Sequence, residues 1–480
     1  MAQKYDAIII GAGISGCGVA ALLSRAGKKV LLLERTKLIG GRASSYKYQG
    51  HTLNIGEHAG IRDGFLDTLV QAVGQEIPDR GFFEDYLMWR NGKFEKAFDI
   101  VPKLNLEETE RVLKIMQEAT PEDMEKYDAI SGAELFRPLV KNPENWYMIN
   151  LVGAIWNTIP KIEDQAASSV IEALRTAGRS TLAGFQAAHG IGDYSRTISQ
   201  VIKECGGEIM TEAPVAEILV ENRRVVGVRV EREAKHDVMH DYPIGEVFTV
   251  EAPLVVSAIP VWNVLNLISE KMFSSEFVKK AKNLNKLTAN LGFMAGLKKP
   301  LFTEKLFVMA DFPTLGYPTT IFISSNLCPT LSPQGEHLLE CSCICEYELG
   351  EDRGLVLRKI QEMKDDLEKL YPGWQKKVIW IRPYFRWEEP ARTPGRDGIF
   401  KPGPKSSEIE GLYFAGDSVN SRITPGMEAA ADSAMICAKA ILGKLPEVKP
   451  APEVKKSGKR AVRPQAGKKA KPGKKVRKKR

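Results

Sequence analysis

Residues 5–35, YDAIIIGAGISGCGVAALLSRAGKKVLLLER, constrain the fold more tightly than any other stretch of the chain. YDAIIIG is β-branched, apolar and too short for a helix, so it predicts a buried parallel strand. CGVAALLSRAG carries helical spacing, and KKVLLLE reads as a second strand. Between the first strand and the helix lies Gly11-Ala12-Gly13-Ile14-Ser15-Gly16. Strand, glycine turn, helix and strand make a βαβ unit, the context in which this glycine spacing signals dinucleotide binding. Gly11 permits the tight turn, Gly13 lets the main chain approach a pyrophosphate, and Gly16 lets the helix pack close on the strand. The pyrophosphate is expected at the helix N-terminus, where unpaired N–H groups and the helix dipole favour negative charge. Glu34 lies 18 residues beyond Gly16, at the end of the second strand. A carboxylate there accepts hydrogen bonds from ribose hydroxyls and repels a 2′-phosphate, which disfavours NADP. Ile14, Ser15 and Arg35 join Gly11, Gly13, Gly16 and Glu34 as candidate cofactor contacts.

At 480 residues the chain has room for two to three domains, and 43% hydrophobic content is enough for a large core. The N-terminus enters a strand almost at once, with no signal-peptide pattern, and no uninterrupted apolar stretch is long enough to span a bilayer. The expected location is therefore cytoplasmic, free or at a membrane surface. The net charge of +8 is unevenly placed. Pro446–Arg480 holds 15 Lys/Arg against two Glu, a net of +13, which leaves −5 for residues 1–445. With almost no large apolar residue, the 446–480 tail is expected to be a disordered basic extension. It suits contact with an anionic membrane or nucleic acid, or serves only as a solubilising extension.

Seven cysteines and no secretion signal predict reduced thiols. Cys341, Cys343 and Cys345 alternate, so they share one face of a strand. A metal site and plain packing both fit that placement. The spacing matches no common zinc pattern, and packing is favoured. His236 and His240 lie four apart, but they interrupt a hairpin and no third ligand is evident, so a solvated loop is favoured there too.

The stretch RTKLIGGRASSYKYQGHTLNIGEHAG, which follows the second strand, decides between dinucleotides. Its Gly40-Gly41-Arg42 resembles the segment that follows the first βαβ unit in the flavin-dependent superfamily of amine oxidases, protoporphyrinogen oxidases and phytoene desaturases. The resemblance implies noncovalent FAD, with Gly41, Arg42 and Ala43 at its phosphates; a planar guanidinium suits phosphate oxygens. It also implies that the loop carrying Glu57 and His58 passes close to the isoalloxazine ring. His58 is the candidate catalytic residue, with a structural loop histidine as the alternative. GLYFAGDSVNSRITPGMEAAADSAMICAKAIL, residues 411–442, resembles the family's second FAD fingerprint. By that match Gly416 and Asp417 meet the ribityl or phosphate region, and the N–H groups of Gly426 and Met427 face the flavin. Val215 corresponds to the strand valine whose main chain pairs with the adenine.

The fold class implied is α/β: a Rossmann-like, GR2-type FAD-binding domain with an inserted α+β substrate domain. The FAD-binding parts are expected at 1–80, 181–262 and 400–445. The substrate domain is expected at 81–180 and 263–399, the first part mostly helical as a cap. Trp146, Tyr147, Met148 and Trp156 are placed to wall a cavity or to form plain core.

Three functions fit. The first is flavin amine oxidation; Gly292 stands where such enzymes commonly carry a lysine, and Gly426 where they carry an aromatic residue, and both departures weigh against it. The second, preferred, is a desaturase-like oxidoreductase that moves hydride from a C–H bond of a bulky apolar substrate, of isoprenoid, carotenoid or porphyrinogen type, to flavin N5. The third is an escort protein that kept the fold and lost the redox chemistry.

Overall fold

The alternation of side chains along the first strand sets two cores. In Ala7–Ile10, Ala7 and Ile9 pack toward the helix Ile14–Arg25, while Ile8 and Ile10 pack on the opposite face. Val30–Leu33 behaves the same way, and both strands are buried throughout. They are the centre of a five-stranded parallel sheet in the order Glu208–Met210, Val30–Leu33, Ala7–Ile10, Val255–Ser257, Leu412–Phe414. One face is covered by three helices, Ile14–Arg25, Gly192–Glu204 and Met427–Leu442. Gly18 lets the first of these meet Met427–Leu442 and the helix Phe65–Ala72 closely: a Cβ there would lie 2.8 Å from Leu69 and 2.9 Å from Ala434. The other face is covered by the antiparallel strands Val215–Glu221, Arg224–Glu231 and Val247–Glu251.

The computed structural model describes residues 4–56, 60–179, 184–232, 245–419, 421 and 426–447. Glu57, His58, His236, His240 and the tail from residue 448 onward lie outside the described residues. The described residues all belong to one compact unit. Among the described residues no helix is long and apolar enough to cross a membrane.

A second, seven-stranded sheet runs in the order Val378–Pro390, Leu287–Leu297, His337–Glu346, Pro318–Ile323, Leu306–Asp311, Asp85–Arg90, Lys93–Lys96. One face holds Leu291, Phe293, Cys341, Cys343 and Cys345 against Trp374 and the helix Arg353–Leu370. The three thiols are thus core side chains, and burial pushes the ionisation of Cys341 and Cys343 upward. The other face looks into the site described below.

The helical expectation for 81–180 needs correction at its start. Asp85–Arg90 and Lys93–Lys96 are a hairpin at the sheet edge. Asn91 (φ +52°) and Gly92 (φ +75°) form its two-residue turn, for which an Asn-Gly pair is the strongest short-range signal. The helices Leu106–Glu118, Pro121–Tyr127, Gly132–Phe136, Pro143–Asn157 and Ala167–Arg179 follow. Thr120 with Asp123, and Ser131 with Glu134, form reciprocal caps that start two of them.

A buried ionic cluster joins this helical layer to the chain leaving the large sheet. Asp397, 1% exposed, accepts from Arg392 Nε at 2.6 Å and from Ser169 Oγ at 2.5 Å, and pairs with Lys401 Nζ at 2.9 Å. Burial alone would raise the Asp397 pKa, but Arg392 and Lys401 hold it well below the usual carboxylate range.

Candidate functional site: a dinucleotide cradle opening onto an apolar wall

The first glycine turn has the three properties that a dinucleotide requires. Gly11 has φ +96°, a conformation that glycine adopts without strain. A Cβ on Gly16 would lie 1.8 Å from the Gly11 carbonyl oxygen, so the helix sits as close to the turn as main chain allows. Gly13 has nothing within 4 Å of its Cβ position and faces open space. The loop from Gly40 is stitched to this turn: Gly40 N–H donates to the Ala12 carbonyl at 2.7 Å, and Gly13 and Gly40 form a parallel bridge.

Glu34 is 7% exposed and lines the same cavity. Its Oε2 accepts from Ala12 N–H at 2.8 Å; its Oε1 accepts from Thr36 N–H at 2.8 Å and Thr36 Oγ1 at 2.9 Å. It therefore braces the glycine turn, a task that sequence reasoning did not assign. A carboxylate has about four lone-pair sites, so one remains for a ribose hydroxyl.

The second fingerprint arrives beside the first. Asp417, 6% exposed, pairs with Arg42 at 2.5 Å across 375 residues of sequence, and the Arg42 guanidinium lies 5.1 Å from the centre of the Trp387 ring. A Cβ on Gly416 would point toward Ser15 Oγ, 3.8 Å away. Gly426 (φ +75°) opens the helix Met427–Leu442 at the cavity. Sequence reasoning passed over Glu428 in that first turn. Its Oε2 accepts from Leu66 N–H at 3.2 Å and from Phe65 N–H, capping the helix Phe65–Ala72. Gly64 makes room for it, since a Cβ there would lie 2.4 Å from that oxygen. Ala213, Pro214 and Val215 line the cavity at the Glu34 end, where Ala213 N–H donates to the Glu34 carbonyl at 2.9 Å.

All the described cofactor candidates, from Gly11 to Met427, lie at this one site. Gly11, Gly13, Ile14, Ser15, Glu34, Arg35, Gly41, Arg42, Ala43, Val215, Gly416, Asp417, Gly426 and Met427 line a single cavity, and Gly16 supports it from behind. The cavity encloses about 1190 Å³, above the roughly 300–1,000 Å³ of an ordinary ligand pocket. That size accommodates a long cofactor and a further ligand.

Its far half is built by the seven-stranded sheet and the helix Pro143–Asn157. Phe83, Phe307 and Phe322 pack edge-to-face and stacked with ring centres 5.2–5.7 Å apart, and Met88 and Met309 extend the wall. Met148 and Trp156 line the cavity from one face of their helix; Trp146 packs into the helical core and Tyr147 stacks on Arg90, 4.6 Å away. Among the described residues lining this half there is no Asp, Glu, His, Lys or Cys. Its one cation, Arg386, donates from both terminal nitrogens to the Ile55 and Gly56 carbonyls.

A parallel sheet that carries a glycine turn, an acid and an arginine around one cavity defines a dinucleotide-dependent α/β enzyme. More particularly, the chain belongs to the family of flavin-containing amine oxidoreductases, whose model matches residues 14–442. It is an FAD-dependent oxidoreductase, and the open main chain at Gly13 with Arg42 close by fits that cofactor. Chloroplastic prolycopene isomerase from Daucus carota is 25% identical over 92% of this chain and 81% of its own length. An oxidoreductase structure from Methanosarcina mazei superposes with TM-score 0.72 at 20% identity, covering 91% of this chain and all of that one. A triple mutant of putrescine oxidase superposes with TM-score 0.68 at 15% identity, covering 92% and 99%.

Proposed function

We propose that this enzyme is desaturase-like and acts on a bulky apolar substrate of isoprenoid, carotenoid or porphyrinogen type. The observation that carries the reading is the far wall of the cavity, aromatic and methionine-rich, with no acid, lysine, histidine or thiol among its described residues. An amine or other charged substrate would be buried there without a counter-charge, at a cost of several kcal/mol on the order of a desolvated ion. The long match to a protein named for prolycopene agrees with an extended polyene or isoprenoid.

When bound, FAD supplies the two-electron acceptor for a hydride leaving a substrate C–H bond. This chain's residues bind and orient. Gly13 and Arg42 are assigned to the pyrophosphate, Glu34 to the adenosine ribose, Val215 to the adenine, and Asp417 to the ribityl or phosphate region. The N–H groups at Gly426 and Met427, at a helix N-terminus, are assigned to the flavin, where they favour negative charge on reduction. Binding is noncovalent in this reading. His58 is retained as a residue of the flavin side, and the domain limits read from the sequence as the division of labour between cofactor and substrate. Fifteen basic residues after Leu445 support an anionic partner for the tail, and an apolar substrate favours a membrane surface over nucleic acid.

The geometry at Gly292 speaks against amine oxidation. A Cβ there would lie 2.5 Å from the Cys341 carbonyl oxygen and 2.8 Å from the Tyr384 hydroxyl, so a lysine has no room at that position. The test is anaerobic bleaching of the bound flavin against amines, carotenoid precursors and porphyrinogens. Reduction by a member of the apolar classes is expected; reduction by amines alone would overturn the proposal.

A further inference from the structure

Among the described residues, the hydroxyls and the guanidinium on the sheet wall of the cavity have partners in the protein. Thr320 Oγ1 and Ser342 Oγ bond each other at 3.1 Å, and Thr319 Oγ1 donates to the Tyr317 carbonyl at 3.1 Å. Tyr86 Oη accepts from Gly184 N–H at 3.1 Å, and Arg386 holds the Ile55 and Gly56 carbonyls.

Asn290 differs. It sits on the strand Leu287–Leu297, directly opposite Ile344 on one neighbouring strand and Arg386 on the other. It is 8% exposed and lines the cavity. Its Oδ1 is buried with no hydrogen-bond partner. A carboxamide in that position loses its hydration and gains nothing from the protein, so a ligand group is the natural partner. The ligand group must be neutral: Asn290 carries no charge, and the one cation beside it is already engaged by two main-chain carbonyls. The surrounding wall is apolar, so that group stands alone on a greasy frame.

We propose that Asn290 is a specificity-determining residue that selects a substrate bearing one neutral hydroxyl, which donates to Oδ1, on an otherwise apolar isoprenoid skeleton. The proposal rests on the bulky apolar reading above and narrows it. A site built to hydrogen-bond an oxygen rejects the analogue that lacks it far more strongly than an apolar pocket rejects a change in size.

The test uses FAD-loaded protein, wild type and the variants Asn290→Leu and Asn290→Ser. The ligands are two pairs, each a hydrocarbon and its monohydroxylated counterpart: axerophtene with all-trans-retinol, and β-carotene with β-cryptoxanthin. Binding is read from perturbation of the flavin absorbance, and the flavin midpoint potential is measured alongside. The wild type is expected to bind the hydroxylated member of at least one pair about tenfold more tightly. Asn290→Leu should erase that preference by weakening the alcohol and sparing the hydrocarbon, and Asn290→Ser should restore part of it. Equal wild-type affinity within the pairs, or failure to bind either pair, overturns this proposal; the apolar reading stands or falls separately, on the flavin-bleaching panel. A preference that survives in Asn290→Leu while the midpoint potential moves assigns the amide to the flavin, and also overturns the proposal. Should Asn290→Leu fail to retain FAD, the wild-type preference and the Asn290→Ser variant decide.

Discussion

The two halves of the cavity are made from different material. The cofactor half is main chain: glycine turns at Gly11–Gly16, Gly40–Gly41 and Gly426, tied together by N–H groups and carbonyls, with Glu34 and Arg42 as its braces. The substrate half is side chain: Phe307, Phe322 and Asn290, each presented by the register of a strand, with Phe83 added from the loop before Asp85–Arg90. Main-chain cradles bind what every member of a cofactor class shares, and they tolerate only glycine at the points of closest approach. Side-chain walls can be rebuilt without disturbing the cradle, which is where differences of substrate can be written.

The largest expected effect falls on what holds the side-chain half in place. Asp397→Asn breaks a buried ion cluster and should cost about 3–5 kcal/mol, read as a lower midpoint in denaturant. The Asp397 carboxyl has a depressed pKa in the folded state, so its contribution is fully present above the ordinary value of 3.8. The gap between wild type and variant should be flat from about pH 5 to 8 and narrow as pH falls below that value. A gap that widened on acidification would contradict the arrangement.

Next come two glycines with opposite signatures. Gly16→Ala places a methyl 1.8 Å from a carbonyl oxygen and should cost about 3 kcal/mol, the upper end of ordinary overpacking, with or without flavin. Gly13→Val meets only open space and should leave the flavin-free protein as stable as wild type while lowering its FAD content. Full flavin loading of Gly13→Val would break the view that bare main chain makes the cradle.

Gly292→Lys sharpens the contrast from the substrate side. Crowding by Ser342 and Tyr384 predicts a loss of about 1–3 kcal/mol and no amine-driven bleaching of the flavin. If amines did reduce that variant, the wall would be less committed to apolar ligands than its lining suggests. The smallest effect is expected from removing residues 449–480. Flavin reduction should be unchanged, while salt-sensitive retention on anionic vesicles should vanish.

The same contrast decides what could be read before folding. Gly11, Gly13, Gly16 and Glu34 sit in one contiguous motif, and Asp417 and Gly426 in another, so their meaning is local. Asn290 and Phe307 acquire theirs only when strands that are distant in sequence align and one face is chosen. Nothing in LTANLGFMAGL distinguishes the core-facing Leu291 from the cavity-facing Asn290 until Cys343 and Phe385 lie beside the first, and Ile344 and Arg386 beside the second. The Asn91-Gly92 turn is different: it was legible, and the charged helices that follow it drew the whole segment into one class. The helix Pro143–Asn157 is apolar all round, so its phase, and with it the separation of Met148 and Trp156 from Trp146, is set by packing alone.

Cys205 is exposed, whereas Cys17, Cys328, Cys341, Cys343, Cys345 and Cys437 are buried. Alkylating reagents attack thiolates they can reach, so the intact molecule offers them a single target. The six hidden sulfurs then become a clock for opening, three of them on one strand behind the substrate wall. Any ligand that tightens that layer will slow their modification, and a mass spectrometer can count the delay adduct by adduct.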